Sequence, residues 1–377
     1  MRRIYWSVAF LMLSAAGLHA QTVTTTVGGR NGPQASALTA RVGAEGGLVT
    51  LRGNTRPEAN AKNDRGRVSD DLILKHMMLQ LRRSPEREQA LQQFIHDIHD
   101  HASPLFHHWI TATEFGQRYG VAPADVARVT DWLESQGFRV NLVYPNQMVI
   151  DFTGSAGQIR QAFHTEIHHL LVNGQAHIAN MSDPQIPAEL ASTVAGVVSL
   201  NDFRPHPILK QHPEYTVGGS GSRAYPLVPA DLWTIYNFNP AFAAGISGQG
   251  QTIVVVEDTD LYTTQDWSNY RSTFGLASAY PLGSLTQVHP NNCPDPGAVA
   301  SDDEATLDVE MASAGAPSAA IELASCADTE TTPGFLTALQ NLINAGGTPP
   351  AIVSMSYGFS ESGLGTALNA SINSTYQ

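Results

Sequence analysis

The sequence predicts two folded parts of different class, an α+β part followed by the beginning of an α/β part with a parallel sheet. Three observations predict it. Between residues 67 and 205 the chain alternates capped helical segments with short paired strands. From "QTIVVVED" onward the order becomes strand, helix, strand, helix, strand, the pattern of a parallel sheet. Between the two lies "HPILKQHPEYTVGGSGSRA", rich in Pro, Gly, Ser and His without a period, which reads as a linker over 206–224 and a site for proteolytic nicking.

The elements follow in order. "MRRIYWSVAFLMLSAAGLHAQT" has a charged start at Arg2 and Arg3, a short apolar run and a small-residue site closed by Ala20, so residues 1–20 read as a secretory signal peptide. Residues 21–66 lack hydrophobic periodicity and are expected to form an extended leader. "DDLILKHMMLQLRR" reads as a strand. "SPEREQALQQFIHDIHD" starts a helix, with a Ser cap, Pro at the first helical position and acids in the first turn. "TATEFGQRYG" is a second capped helix. "APADVARVTDWLESQG" is a third, with Val126, Val129 and Leu133 on one face and Gly137 as its stop. "FRVNLVYPNQMVIDF" is a hairpin turning at Pro145-Asn146, "SAGQIRQAFH" a short helix, and "TEIHHLLVNGQAHIA" a hairpin turning at Asn173-Gly174. "AGVVSLNDF" is the last strand of this part.

In the second part "QTIVVVED" is a β-branched run, the mark of a strand buried on both faces. A loop of irregular character follows, then the helix "EATLDVEMASAG", the strand "AAIELASCA", the helix "TPGFLTALQNLINAGG" and the strand "AIVSMSYG". A parallel sheet needs further strands to close its core, and "NSTYQ" falls inside a helix, so the domain over 225–377 is expected to be incomplete at its carboxyl terminus.

The 377 residues carry a formal charge of −13, which argues against a nucleic-acid partner or an anionic membrane surface. Beyond the signal peptide no run is long and apolar enough to span a bilayer, so the mature protein is expected to be secreted. The two cysteines, Cys293 and Cys326, pair most simply as one disulfide in an oxidising compartment, with free buried thiols as the alternative.

The chemistry concentrates in "SDDEATLDVEMASAGAP". Glu304 and Asp308 are four residues apart, neighbours on one helix face, where two carboxylates repel unless they share a proton, hold a metal or face solvent. Sites in open parallel sheets lie at the carboxyl ends of the strands. Glu257 ends "VVVE" and Ser356, Tyr357 and Gly358 end "VSMSYG", so Glu257, Glu304 and Asp308 are expected to converge on one crevice. Glu310 lies about 200° round the helix from Asp308 and reads as structural. Asp302 and Asp303 read as first-turn acids facing the helix dipole.

"EATLDVE" is similar to the Glu-x-x-x-Asp helix of the sedolisin–kumamolisin family of serine-carboxyl peptidases. "SPLFHHWITATEFGQRYGVAPADVARVTDWLESQGF" resembles that family's pro-kumamolisin activation domain, "DLWTIYNF" the start of its mature enzyme and "AIVSMSYGFSE" its central strand. The resemblance runs from about residue 67 to Gln377, with four short motifs in the right order. It implies a ferredoxin-like activation propeptide of paired strands and helices over 67–205, then the amino-terminal part of a subtilisin-like peptidase domain. It further implies a Ser-Glu-Asp triad in which Glu304 is the general base and Asp308 its companion. Glu257 and Tyr357 extend the network, and the strand through Ser354, Ser356 and Gly358 pairs with an extended peptide substrate. The family's Gly-Thr-Ser nucleophile turn, its oxyanion Asp and its calcium loop have no counterpart in these residues, so the calcium site is expected beyond Gln377, no metal is expected within the chain, and the chain as it stands is expected to be inactive.

A carboxylate base works only where it is ionised, and two interacting acids titrate as a pair, which points to acid-range activity. Two functions follow from different classes: a secreted acid-active endopeptidase made as a zymogen, acting on protein or peptide with its own propeptide as intramolecular inhibitor, or a non-catalytic exported inhibitor or binding protein. The histidines of "HDIHDHASPLFHH" (His96, His99, His101, His107 and His108) read as a titratable surface rather than a zinc site, because they straddle a helix end and a loop. Sequons at Asn369–Ser371 and Asn373–Thr375 are frequent by chance and decide nothing.

Overall fold

The computed structural model describes residues 47–207, 227–299, 303–347 and 349–377, Ser362 without its side chain. The expected signal peptide at 1–20, leader residues 21–46, linker residues 208–224 and Asp302 lie outside the described residues.

The amino-terminal part runs β1 (Leu48–Thr50), β2 (Asp64–Arg67), β3 (Ile73–Leu81), α1 (Pro85–His99), α2 (Ala112–Tyr119), α3 (Pro123–Ser135), β4 (Arg139–Val143), β5 (Val149–Ser155), α4 (Ala156–Phe163), β6 (Ile167–Val172), β7 (Gln175–Asn180), β8 (Gln185–Pro187), β9 (Val194–Val197) and β10 (His206–Pro207). The helices start where side chains can cap them. Ser84 accepts from the Arg87 N–H ahead of Pro85, and Thr111 and Ser155 each form a reciprocal capping box with Glu114 and Gln158. The β6–β7 hairpin turns on Asn173 and Gly174, whose φ values of 51° and 84° match the twist a two-residue hairpin requires.

An antiparallel sheet in the order β4-β5-β3-β9 forms the centre of this part. The leader expectation needs correction over its described residues. β1 pairs with β8 and β2 pairs with β6, so residues 48–67 are tied into the domain by two strand pairings. Their side chains are mostly exposed, which is why no hydrophobic period announces them.

The second part runs α5 (Pro229–Ile235), α6 (Asn239–Ala243), β11 (Thr252–Glu257), α7 (Thr264–Thr273), α8 (Leu276–Ala279), β12 (Ser284–Val288), α9 (Glu304–Gly315), β13 (Ala320–Ser325), α10 (Gly334–Ile343), β14 (Val353–Ser354), β15 (Tyr357–Gly358) and α11 (Glu361–Tyr376). A parallel sheet orders its strands β12-β13-β11-β14, so the β-branched β11 lies inside it. Two expectations fail here. The stretch between β11 and α9 is not an irregular loop but holds α7, α8 and β12. α7, "TQDWSNYRST", is too polar to show an apolar stripe, and β12 is a mostly exposed edge strand. The strand "AIVSMSYG" is split. β14 continues the parallel sheet beside β11, whereas β15 pairs antiparallel with β10.

The two parts share one hydrophobic core. Leu79, Val149 and Ile150 of the antiparallel sheet and Phe335, Leu336 and Leu339 of α10 belong to the same buried cluster. That explains why Met77–Leu81 is buried at consecutive positions: both faces of β3 are covered. Polar contacts close the seam. Tyr144 Oη donates to Asn341 Oδ1 at 3.0 Å, the Asn146 N–H to Asn344 Oδ1 at 3.0 Å, and Thr332 Oγ1 to the His76 carbonyl at 2.7 Å. The Lys75 N–H donates to Glu330 at 3.1 Å, and Arg204 pairs with Asp328 at 3.2 Å.

Candidate active site

β11 ends at Glu257, and α9, packed on β11 and β13, opens at Glu304. Helix periodicity then brings Asp308 round to the same side one turn later. Glu257 is fully buried, Glu304 nearly so and Asp308 half-buried. The small residues of α9 do more than bring the helix onto the sheet. They also admit two indole rings: Trp267 Nε1 donates to Ser313 Oγ at 2.6 Å, and Trp233 Nε1 donates to the Ala314 carbonyl at 2.7 Å.

Tyr357 on β15 reaches back over the end of β11. Its Oη lies 2.7 Å from Glu257 Oε2 and 2.8 Å from Asp258 Oδ1, and accepts from the Asp258 N–H at 3.2 Å. Its ring stacks on Phe335, with centroids 4.4 Å apart. Ser356 Oγ donates to Asp308 Oδ2 at 2.6 Å, and the Asp308 and Glu257 carboxyls are themselves in hydrogen-bond contact. Ser354 stands opposite Val255 in the parallel ladder, and Gly358 opposite His206 in the antiparallel one.

The electrostatics follow from burial. Glu257 is pushed up to about 9, first by loss of water and then by the Asp308, Asp258 and Glu304 charges, against the lowering effect of the Tyr357 hydroxyl. Burial also raises Asp308, opposed by its hydrogen bonds to Ser356 and Glu257. Tyr357 is held in its neutral form by burial and by the acids beside it. Glu310 stands apart, half-buried near Asp266 and Tyr270, and burial with the Asp266 charge pushes it up to about 7. Carboxyls that stay protonated above the usual range can hold and pass a proton.

Residues 60–203 match the family described as Pro-kumamolisin, activation domain. The chain is also similar to kumamolisin of Bacillus sp. (strain MN-32), 25% identical over 332 residues that cover 86% of this chain and 58% of that protein. Sedolisin of Pseudomonas sp. (strain 101) is 30% identical over 196 residues, covering 51% of this chain and 32% of the relative. Xanthomonalisin of Xanthomonas sp. (strain T-22) is 30% identical over 198 residues, covering 50% and 24%. The similarity to an activation domain is thus confined to residues 60–203, and the similarity to these three peptidases covers half of the chain or more. The chain spans between about a quarter and three fifths of the length of those relatives.

The calcium that the sedolisin resemblance implies has no matching cage among the described residues. The densest group of potential donors is Asp260, His289 and Asp295, within 4.8 Å of one another at the carboxyl ends of β11 and β12. His289 Nε2 is 3.2 Å from Asp260 Oδ1 and 3.9 Å from Asp295 Oδ1, and Ser325 Oγ donates to Asp260 Oδ1 at 2.5 Å. An imidazole nitrogen donating to a carboxylate has no lone pair to give, and calcium takes about 6–8 oxygens. This group reads as an ion pair that holds the loop after β12. The same loop is joined to the end of β13 by a disulfide between Cys293 and Cys326, with Cα atoms 5.6 Å apart. No helix among the described residues is long and apolar enough to cross a membrane.

Sequence reasoning overlooked Asp258. It stands next to Glu257 in "VVVED", and strand alternation sends neighbouring side chains to opposite faces, so no spacing rule pairs the two. Only the return of Tyr357 across the strand end brings them to one hydroxyl. The bond from Ser356 to Asp308 was equally hidden, because Ser356 reads from sequence as part of a backbone-pairing strand.

Proposed function

We propose that these residues belong to a secreted, acid-active serine-carboxyl endopeptidase made as a zymogen. The observation that carries this reading is the antiparallel pairing of His206–Pro207 with Tyr357–Gly358, next to the Glu257, Glu304 and Asp308 carboxyls. The chain leaving the activation domain lies on β15 in extended form, as a peptide substrate adding a strand would. On this reading β14 and β15, through Ser354, Ser356 and Gly358, are the substrate-binding backbone, and the activation domain is an intramolecular inhibitor. The strand order β4-β5-β3-β9 supports a ferredoxin-like layout for that domain, and the parallel order β12-β13-β11-β14 supports a subtilisin-like one for the rest.

In the proposed chemistry Glu304 takes the proton of a serine nucleophile as it attacks the scissile carbonyl. Asp308, Glu257 and Tyr357 adjust how readily Glu304 accepts it. A carboxyl base does this at acid pH, below the range where an imidazole works. The serine expected from the resemblance lies in a Gly-Thr-Ser turn that Met1–Gln377 do not contain, so activity is assigned to a form that carries it. The calcium implied by the resemblance is assigned to no residue of this chain. The test is acid proteolysis of an unstructured protein substrate by a form bearing the Gly-Thr-Ser turn, before and after release of the activation domain. Hydrolysis that appears only after release supports the reading. Hydrolysis that stays at the level of a serine-to-alanine form overturns it.

A further inference from the structure

We propose that residues 51–56, ahead of the residues 60–203 that match the activation family, form a strap that keeps β10 seated on β15, with Arg56 gripping Phe359. The inference deepens the peptidase reading, in which β15 is the strand a substrate would use, but its test does not depend on hydrolysis. The need for a strap follows from the ladder itself. β10 and β15 pair over two residues each, and one of these, Pro207, has no N–H to donate. So short an antiparallel pair is marginal by itself in water. The ion pair of Arg204 with Asp328 on the same stretch is partly exposed, and such pairs contribute little.

Arg56 supplies the missing hold. Its guanidinium carbon lies 4.9 Å from the centre of the Phe203 ring and 5.2 Å from that of Phe359. Phe203 comes shortly before His206 and Phe359 directly after Gly358, so both rings lie at the same end of the ladder. Phe203 is itself fixed, stacked on His177 with ring centroids 4.0 Å apart. Glu58 accepts from Arg56 Nε at 3.1 Å and from Nη2 at 3.0 Å, which sets the plane of the guanidinium. Arg56 is only 8% exposed, and a cation over a ring is worth most where water is excluded. The rest of the strap is fixed to both parts. Asp183 accepts from the Gly53 N–H at 3.1 Å, the Asn54 N–H at 2.8 Å and Thr55 Oγ1 at 2.9 Å, and Asn180 Nδ2 donates to the Asn54 carbonyl at 2.8 Å. On the other side α11, which begins just after Phe359, is broken at Gly365, with φ 76° and ψ 173°. At that break the Thr366 N–H donates to the Gly53 carbonyl at 2.9 Å. The two backbones meet through glycines of left-handed φ. A Cβ on Gly53 would collide with the Thr366 side chain, and one on Gly365 would crowd the Gly53 carbonyl at 3.0 Å. A segment that only completed the activation domain would not need this fit to α11.

The experiment follows amide hydrogen exchange by mass spectrometry in the chain Met1–Gln377. In Arg56→Met, exchange over 203–206 and 355–361 should rise about tenfold, while β3 and β5 keep their protection because the contact is local. Phe359→Leu, which keeps an apolar side chain but loses the ring face, should do the same. Combined, the two should raise exchange no further than either alone, because they remove one shared contact. Arg204→Met is the comparison and should change these segments by less than about twofold. Unchanged exchange there in a folded Arg56→Met chain overturns the proposal. So does a double variant in which the two effects multiply, or a larger rise in Arg204→Met than in Arg56→Met. If Arg56→Met does not fold, Phe359→Leu decides alone, and parental exchange over 203–206 overturns the strap. Peptide hydrolysis is not a readout, so this result and the peptidase reading can fail independently.

Discussion

His206 stands opposite Gly358, and Pro207 opposite Tyr357, in a two-residue antiparallel ladder. Tyr357 also carries the hydroxyl that meets Glu257 and Asp258. One residue therefore presents its backbone to the chain leaving the activation domain and its side chain to the acid cluster. A segment held there is extended, as a protease substrate must be, and the composition beyond it is that of a linker.

The first expected outcome concerns that segment. Incubated in acid, a form carrying the Gly-Thr-Ser turn should be cut between about His206 and Tyr225, leaving a new amino terminus ahead of "YPLVPADLWTIYNF". Amino-terminal sequencing checks it. A new terminus within residues 70–200, with none in the linker, contradicts this boundary.

A second outcome concerns stability against pH. The folded chain holds Glu257 up to about 9 and Glu310 up to about 7, both above the ordinary carboxyl value of 4.5. Above 4.5 the unfolded chain has released these protons while the folded chain keeps them. Stability from these groups is thus fully present below pH 4.5 and declines as pH rises, through about 7 for Glu310 and on towards 9 for Glu257. Replacing Glu310 by Gln should flatten the first part of that decline. Thermal midpoints at pH 4 and pH 8 should lie closer together in Glu310→Gln than in the parent, and an unchanged gap counts against the assignment.

Much of this fold is legible in the sequence, and the exceptions share a physical cause. Helices with a side-chain cap, such as those beginning after Ser84 and Thr111, carry local signals that survive any packing. The buried run of β11 is equally plain. What escaped notice was exposed or short: β1, β2 and β12 show no apolar alternation, and α7 no apolar stripe. At the site, Glu257, Glu304 and Asp308 could be gathered from strand ends and helix spacing. The tie between Asp258 and Tyr357 could not, because it joins residues 99 apart through a split strand. The common core of the two parts also had no local signal, although a β3 buried on both faces is its mark.

A third outcome concerns Cys293 and Cys326, 33 residues apart in sequence. The loop they close contains α9 and β13, so the disulfide restricts the unfolded state of the segment carrying Glu304 and Asp308. Loop-closure entropy for that length is about 3–4 kcal/mol. The double variant Cys293→Ala with Cys326→Ala should lose stability of about that size in urea unfolding. A loss under about 1 kcal/mol would show that the loop after β12 is held chiefly by the His289–Asp260 pair instead.

The last outcome separates three acids on one helix. In a form that carries the nucleophile, Glu304→Gln and Asp308→Asn should each remove turnover by a factor on the order of 10³ or more while leaving the fold intact. Gln keeps the size of Glu but cannot take the serine proton. Asn keeps the size of Asp and still accepts from Ser356, but its amide cannot exchange a proton with Glu257. Glu310→Gln, beside Asp266 and Tyr270 rather than the Glu257 cluster, should change turnover little. Acid proteolysis and circular dichroism on all three variants decide the matter. Near-normal activity in Glu304→Gln with an unaltered spectrum, or loss confined to Glu310→Gln, would place the working face of α9 on the other side of the helix.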